Sequence, residues 1–89
     1  MGFENLVDAY IRHLTIERGV AKNTIAAYRR DLRRYVDYLD ERGVSGIEQI
    51  TELVVQDFAT LLVTGRGLAA TSIARVLAGV RGLHKYWLL

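Results

Sequence analysis

Between Arg18 and Arg42 the apolar residues Ile25, Tyr28, Leu32, Tyr35 and Leu39 recur at steps of three and four, the spacing of one face of an α-helix. No proline interrupts this run, and none occurs anywhere in the 89 residues. A half-buried strand needs a period of two, so the stretch reads as one long amphipathic helix from about Lys22 to Arg42. At about 1.5 Å per residue such a helix is roughly 30 Å long, enough to cross a whole small domain. The remaining surface of that helix is basic. Lys22, Asn23, Arg29, Arg30, Arg33 and Arg34 fall mainly off the apolar stripe, and Asp31 is the single acid among six basic residues between Arg18 and Arg34. A face of this kind is either solvated or meets a polyanion.

Three further helices fit around this one. The first covers about Phe3 to Glu17, with Phe3, Leu6, Val7, Tyr10 and Leu14 as its core face, and Gly19 sits just beyond its end where a left-handed residue is expected. Gly43 and Gly46 stop the long helix, and Val44 to Ile50 forms a connector with room for one helical turn at Ile47–Gln49. Thr51 is a good cap for a third helix from about Glu52 to Val63, whose buried stripe is Val54, Phe58, Leu61 and Leu62. Gly65 and Gly67 bracket Arg66, and a fourth helix follows from about Ala70 to Tyr86, with Ile73, Val76, Leu77, Val80, Leu83 and Trp87 inward.

The chain repeats itself. Arg18-Gly19-Val20-Ala21 and Ile25-Ala26 return 48 residues later as Arg66-Gly67-Leu68-Ala69 and Ile73-Ala74, with Arg33 matched by Arg81 and Tyr38 by Tyr86. One loop-into-helix device used twice predicts two helical hairpins packed crosswise, an all-α, four-helix orthogonal bundle occupying residues 1–89 as a single domain. The net charge of +2 conceals segregation: residues 1–17 carry −2, residues 18–34 carry +5, residues 35–57 carry −5 and residues 58–89 carry +4. The starts of the second and fourth helices are thus both basic and both offer unpaired backbone N–H groups, which suit phosphate. On the fourth helix, Ala70, Ala74, Ala78 and Gly82 form a ridge without bulk. Its ordinary reading is close helix–helix packing. Its functional reading is a helix seated deep in a major groove while Arg75, Arg81 and Lys85 reach sideways to phosphates.

Several classes are excluded. The chain has no cysteine, so it has no disulfide and no thiolate metal site, and no metal or cofactor is expected. No apolar run approaches the roughly 18 residues of a membrane span, and the N-terminus lacks the pattern of a signal peptide, so no membrane partner and a cytoplasmic location are expected. The apolar ending Tyr86-Trp87-Leu88-Leu89 reads as a fragment of a longer protein. Catalytic residues are expected to be absent: the five tyrosines lie at helical core or boundary spacing, and His13 and His84 have no partnered acid or nucleophile in the sequence pattern.

The stretch from Gly19 to Leu32, with Asn23-Thr24 and Tyr28-Arg29-Arg30-Asp31-Leu32 its most specific part, resembles the second helix of tyrosine recombinases of the Xer type. Gly67 to Arg75, with Leu77, Val80, Arg81, Tyr86 and Trp87, resembles their fourth helix, so the likeness spans nearly the whole chain. It is shared by both Xer partners and by phage and integron relatives. The resemblance implies the N-terminal core-binding, SAM-like domain of a site-specific recombinase acting in DNA integration or chromosome dimer resolution, which supports chromosome partition at cell division. That domain is one arm of a clamp around a double-stranded DNA half-site, with helices two and four against the major groove. It also implies sister protomers in a synaptic tetramer, contacts between protomers through helix one, and a separate C-terminal domain that holds the catalytic residues. Ala21-Lys22 and Ala69-Ala70 stand where family members often have serine then proline, which weakens both helix caps by about 1 kcal/mol each.

The first reading is therefore a non-enzymatic DNA-binding arm. Lys22, Asn23, Thr24, Arg29, Arg30, Arg33 and Arg34 would contact DNA from the second helix, and Thr71, Ser72, Arg75, Arg81 and Lys85 from the fourth. The arginines would set register and affinity on phosphates, with Asn23, Thr71 or Ser72 near enough to base edges to read them. For Arg18 and Arg42, at helix C-termini where cations are favoured anyway, an exposed structural role is the better reading. The alternative is a helical protein-interaction module whose charged faces dock an oppositely charged protein. A helix-turn-helix regulator fits less well, because Gly43 to Ile50 is longer than the usual turn.

Overall fold

The computed structural model describes residues 3–65 and 67–88, the last without its side chain. Arg66, read above as part of the repeat, and Leu89, part of the apolar ending, lie outside the described residues. Four helices follow in order: α1 (Glu4–Ile16), α2 (Lys22–Glu41), α3 (Glu52–Gly65) and α4 (Ala70–Leu88), with a single 3-10 turn at Ile47–Gln49 between α2 and α3. No strand occurs among the described residues. The fold is an all-α bundle of two hairpins, α1–α2 and α3–α4, measuring 33 × 30 × 18 Å.

Each terminus has a local cause. Gly19, Gly43 and Gly67 take positive φ of 62°, 73° and 61°, so both members of the repeated Arg-Gly turn use the same left-handed step. At the end of α2 the Val44 N–H reaches the Leu39 carbonyl at 2.9 Å and the Gly43 N–H reaches that of Asp40 at 3.1 Å, which satisfies carbonyls that would otherwise be orphaned. Thr51 caps α3 as expected, its Oγ1 accepting from the Val54 N–H at 3.2 Å. Ala21 begins α2 in an extended conformation (ψ 149°) with no side-chain cap.

The core is drawn from all four helices. Phe3, Val7, Tyr10, Ile11 and Leu14 meet Leu32, Tyr35, Val36, Tyr38 and Leu39 of α2, Phe58 and Leu62 of α3, and Val76, Val80 and Leu83 of α4. Two expected core residues are not in it: Leu6 is 38% exposed and Leu61 41% exposed. In α1 the buried face is Val7, Tyr10, Ile11 and Leu14, which turns the helix toward Ile11 and leaves Leu6 at the edge. In α3 only Phe58 and Leu62, one turn apart, are fully buried, because α3 lies on the rim of the bundle and covers it with a narrow stripe.

Helix α2 is the axis of the molecule, packed against both α1 and α4. Helices α2 and α4 meet where Arg75 reaches Asp31, where Gly79 lies against Tyr28 and Leu32, and where His84 meets Tyr35. The close packing expected of the Ala70–Gly82 ridge occurs elsewhere. Ala70, Ala74 and Ala78 are exposed, and it is Gly79 that admits the Tyr28 ring. Gly82, at the end of the ridge, is half-buried against the Tyr10 hydroxyl.

Candidate nucleic-acid interface

The apolar stripe of α2 faces α1 and α4, so its other side is left to solvent. At about 100° per residue, Lys22, Arg29, Arg30, Arg33 and Arg34 fall on that side. They line one shallow groove together with Ile25 and Ala26. Arg34 is half-buried; the other four are exposed. Among the described residues no carboxylate pairs with Lys22, Arg30, Arg33 or Arg34. Arg29 meets Asp8 of α1 at 3.5 Å, but both side chains are 57% exposed, and a pair so solvated holds neither in place. Asn23 and Thr24 are exposed in the first turn of α2, which contains no acid. An anion approaching this face therefore meets unpaired cations and the free N–H groups of a helix start.

The fourth helix contributes differently. Its first turn also lacks an acid, with Thr71 exposed and Ser72 half-buried. Arg75 sits at the crossing with α2 and is held there: its Nε donates to Asp31 Oδ2 at 2.6 Å and its Nη2 to Oδ1 at 2.9 Å. These hydrogen bonds to Asp31 raise the Arg75 pKa further above its ordinary value. Arg81 and Lys85 are exposed about two and three turns beyond but border other surfaces. Arg81 flanks an apolar groove with Val63, Leu68 and Ile73, and Lys85 lies near Arg18, Tyr10 and Trp87. The structure thus gathers the α2 cations on one groove, places Arg75 at the helix crossing, and leaves Arg81 and Lys85 apart from both.

Comparison with known proteins bears on what this surface belongs to. Residues 7–88 match the family described as phage integrase, N-terminal SAM-like domain. The chain belongs to that family. Among its relatives are the protein named tyrosine recombinase XerD of Mycobacterium tuberculosis, 46% identical over 90% of this chain, and that of Staphylococcus aureus, 39% identical over 93% of it. The chain spans 28% of the length of each of these relatives. No solved structure matches it.

Within this SAM-like integrase domain, Asp31 is the residue whose role was missed in the sequence. It read as a lone acid in a basic run, yet it is 1% exposed and is the one buried charged side chain among the described residues. The available signal was its place beside Leu32 and one turn before Tyr35, at the edge of the apolar stripe. Arg42 is also engaged within the fold, 3.4 Å from Asp57 of α3 and 5.1 Å above the Tyr38 ring, in line with a structural role at the end of α2. His84 is half-buried on α4, and burial lowers its pKa. Its Nε2 lies 2.8 Å from the Tyr35 hydroxyl, whose pKa burial pushes far above the ordinary value. With the imidazole neutral, one of the two groups donates and the other accepts, according to which ring nitrogen carries the proton. Among the described residues no group of histidines and carboxylates suits a metal ion, and no helix is long and apolar enough to cross a membrane.

Proposed function

We propose that residues 1–89 form the DNA-binding arm of a site-specific tyrosine recombinase, gripping one double-stranded half-site through α2 and α4. The observation that carries this is the groove of Lys22, Arg29, Arg30, Arg33 and Arg34, whose cations are unpaired or only loosely paired on a single helix face. The family membership and the recombinase names of the relatives support it. On this reading Arg30, Arg33 and Arg34 meet backbone phosphates and set register, while Asn23 and Thr24, with Thr71 and Ser72 of α4, stand nearest the base edges. The arm is catalytically silent. Bond cleavage and rejoining belong to the rest of a longer, cytoplasmic protein, which works with sister protomers on paired sites.

An amide-shift titration of the isotope-labelled chain with a short duplex, at low and at physiological salt, tests this. Shifts are expected to cluster at residues 22–34 and 70–85 and to fade as salt rises. If about five phosphates are neutralised, the log–log salt slope is about −4.5. Absence of shifts at low salt, or their restriction to α1 and α3, overturns the proposal. It would favour the protein-docking alternative, which the exposed Leu53, Leu61 and Val63 on α3 would then serve.

A further inference from the structure

We propose that Asp31 is a positioning residue for DNA binding: from beneath the crossing of α2 and α4 it holds two donors of the Arg75 guanidinium and so aims the third, Nη1, at a backbone phosphate. The inference rests on the DNA-binding reading above and assigns a task to an acid on the surface-forming helix that reading does not use. A carboxylate is costly to bury unless both oxygens are satisfied, and here Arg75 satisfies both, at 2.6 and 2.9 Å. Stability alone does not call for the pair, since apolar side chains of similar volume commonly serve as well in such a place. What the pair does supply is orientation. The guanidinium is a rigid planar fork, so fixing Nε and Nη2 on the carboxylate also fixes the direction of Nη1. Among the described residues Nη1 has no acceptor, and the exposed part of the pair is the arginine, 37% accessible against 1% for Asp31. A free arginine surrenders side-chain freedom when it grips a phosphate; this one is already ordered at the point where the two helices meet. The pair is neutral as a whole, so Arg75 acts as a directed donor more than as part of the long-range field of the α2 cations.

Two variants of the 89-residue chain separate aim from charge, read by fluorescence anisotropy with a labelled duplex over a sodium chloride series. Asp31→Asn removes an acid and raises the net charge by one from +2, so general electrostatics alone predicts tighter binding. Loss of aim predicts the opposite, a weakening on the order of tenfold, the size of one charge-assisted hydrogen bond. The double variant Asp31→Asn/Arg75→Gln keeps the net charge and a hydrogen-bonding pair of similar volume. It is expected to lower the magnitude of the salt slope by about one, the signature of one lost phosphate contact. Circular dichroism and amide spectra check that each variant is folded, and if the single variant is not, the double variant decides the matter. Binding by Asp31→Asn as tight as wild type or tighter, or an unchanged slope in the double variant, reduces the pair to a structural clasp and overturns the proposal. Absence of salt-dependent binding by the wild-type chain is a separate failure, that of the DNA-binding reading itself.

Discussion

His84 shows how one side chain couples packing to pH. It lies against the Tyr35 ring at a centroid distance of 5.5 Å and against Trp87 at 5.3 Å, and this apolar setting disfavours the imidazolium. Its folded pKa is therefore below the ordinary histidine value of about 6.5, and the unfolded chain binds more protons in the window just beneath that value. The stability contributed by neutral His84 is complete above that window and declines as pH falls through it. Thermal melts should accordingly show a midpoint that drops between pH 7.5 and 5.5. A His84→Gln variant, which keeps a hydrogen-bonding group for Tyr35 but cannot titrate, should lose that part of the slope. Equal slopes in the two proteins would remove His84 from the account. At this scale the sequence was legible only in part: an isolated histidine beside Leu83 reads correctly as a boundary residue, but its partner is 49 positions away.

At the scale of elements, the starts of helices and their closest approaches are where small changes have large effects. Ala21 already holds the extended backbone of an N-cap residue but has no side-chain oxygen. Ala21→Ser is expected to stabilise the domain by about 0.5–1 kcal/mol, which a domain of this size registers as a rise in Tm of a few degrees. The two glycines at the packed face of α4 should respond with opposite signs. A methyl group at Gly79 would sit 3.4 Å from Tyr28 Cδ1, an ordinary contact. Gly79→Ala should therefore gain up to about 1 kcal/mol from helix propensity. At Gly82 the added carbon would collide with the Tyr10 hydroxyl, so Gly82→Ala must displace a ring that packs on Tyr86 at 5.4 Å. Paired melts of the two variants check this, and a stabilising Gly82→Ala would contradict the packing described. The α4 sequence advertised the ridge of Ala70, Ala74, Ala78 and Gly82 and passed over Gly79, because spacing marks which residues share a face without saying which face a neighbour covers.

Over the whole molecule, charge is graded along α2. Its first thirteen residues carry the unpaired cations, whereas Asp37, Asp40 and Glu41 at its other end, with Glu48 and Glu52 beyond, are exposed acids. On the proposed DNA-binding reading, a duplex would be attracted to one end of the domain and repelled from the other, so the gradient would orient the arm as well as bind it. Arg33→Ala should reduce the salt slope of DNA binding by about one with little change in melting temperature, while Glu48→Gln should leave the slope as it is. A slope equally sensitive to both would mean that net charge, and not the α2 groove, governs binding. The sequence by itself determined the four helices, their glycine stops, the Thr51 cap and the basic face of α2, because periodicity, capping chemistry and charge density act between residues close together in the chain. Only the tertiary structure decided that Leu6 and Leu61 stay at the surface, that Arg81 and Lys85 stand apart from the α2 groove, and that Asp31 is buried against Arg75. Those outcomes depend on how helices distant in sequence rotate and cross, and a crossing joins residues 44 positions apart for reasons that no local pattern records.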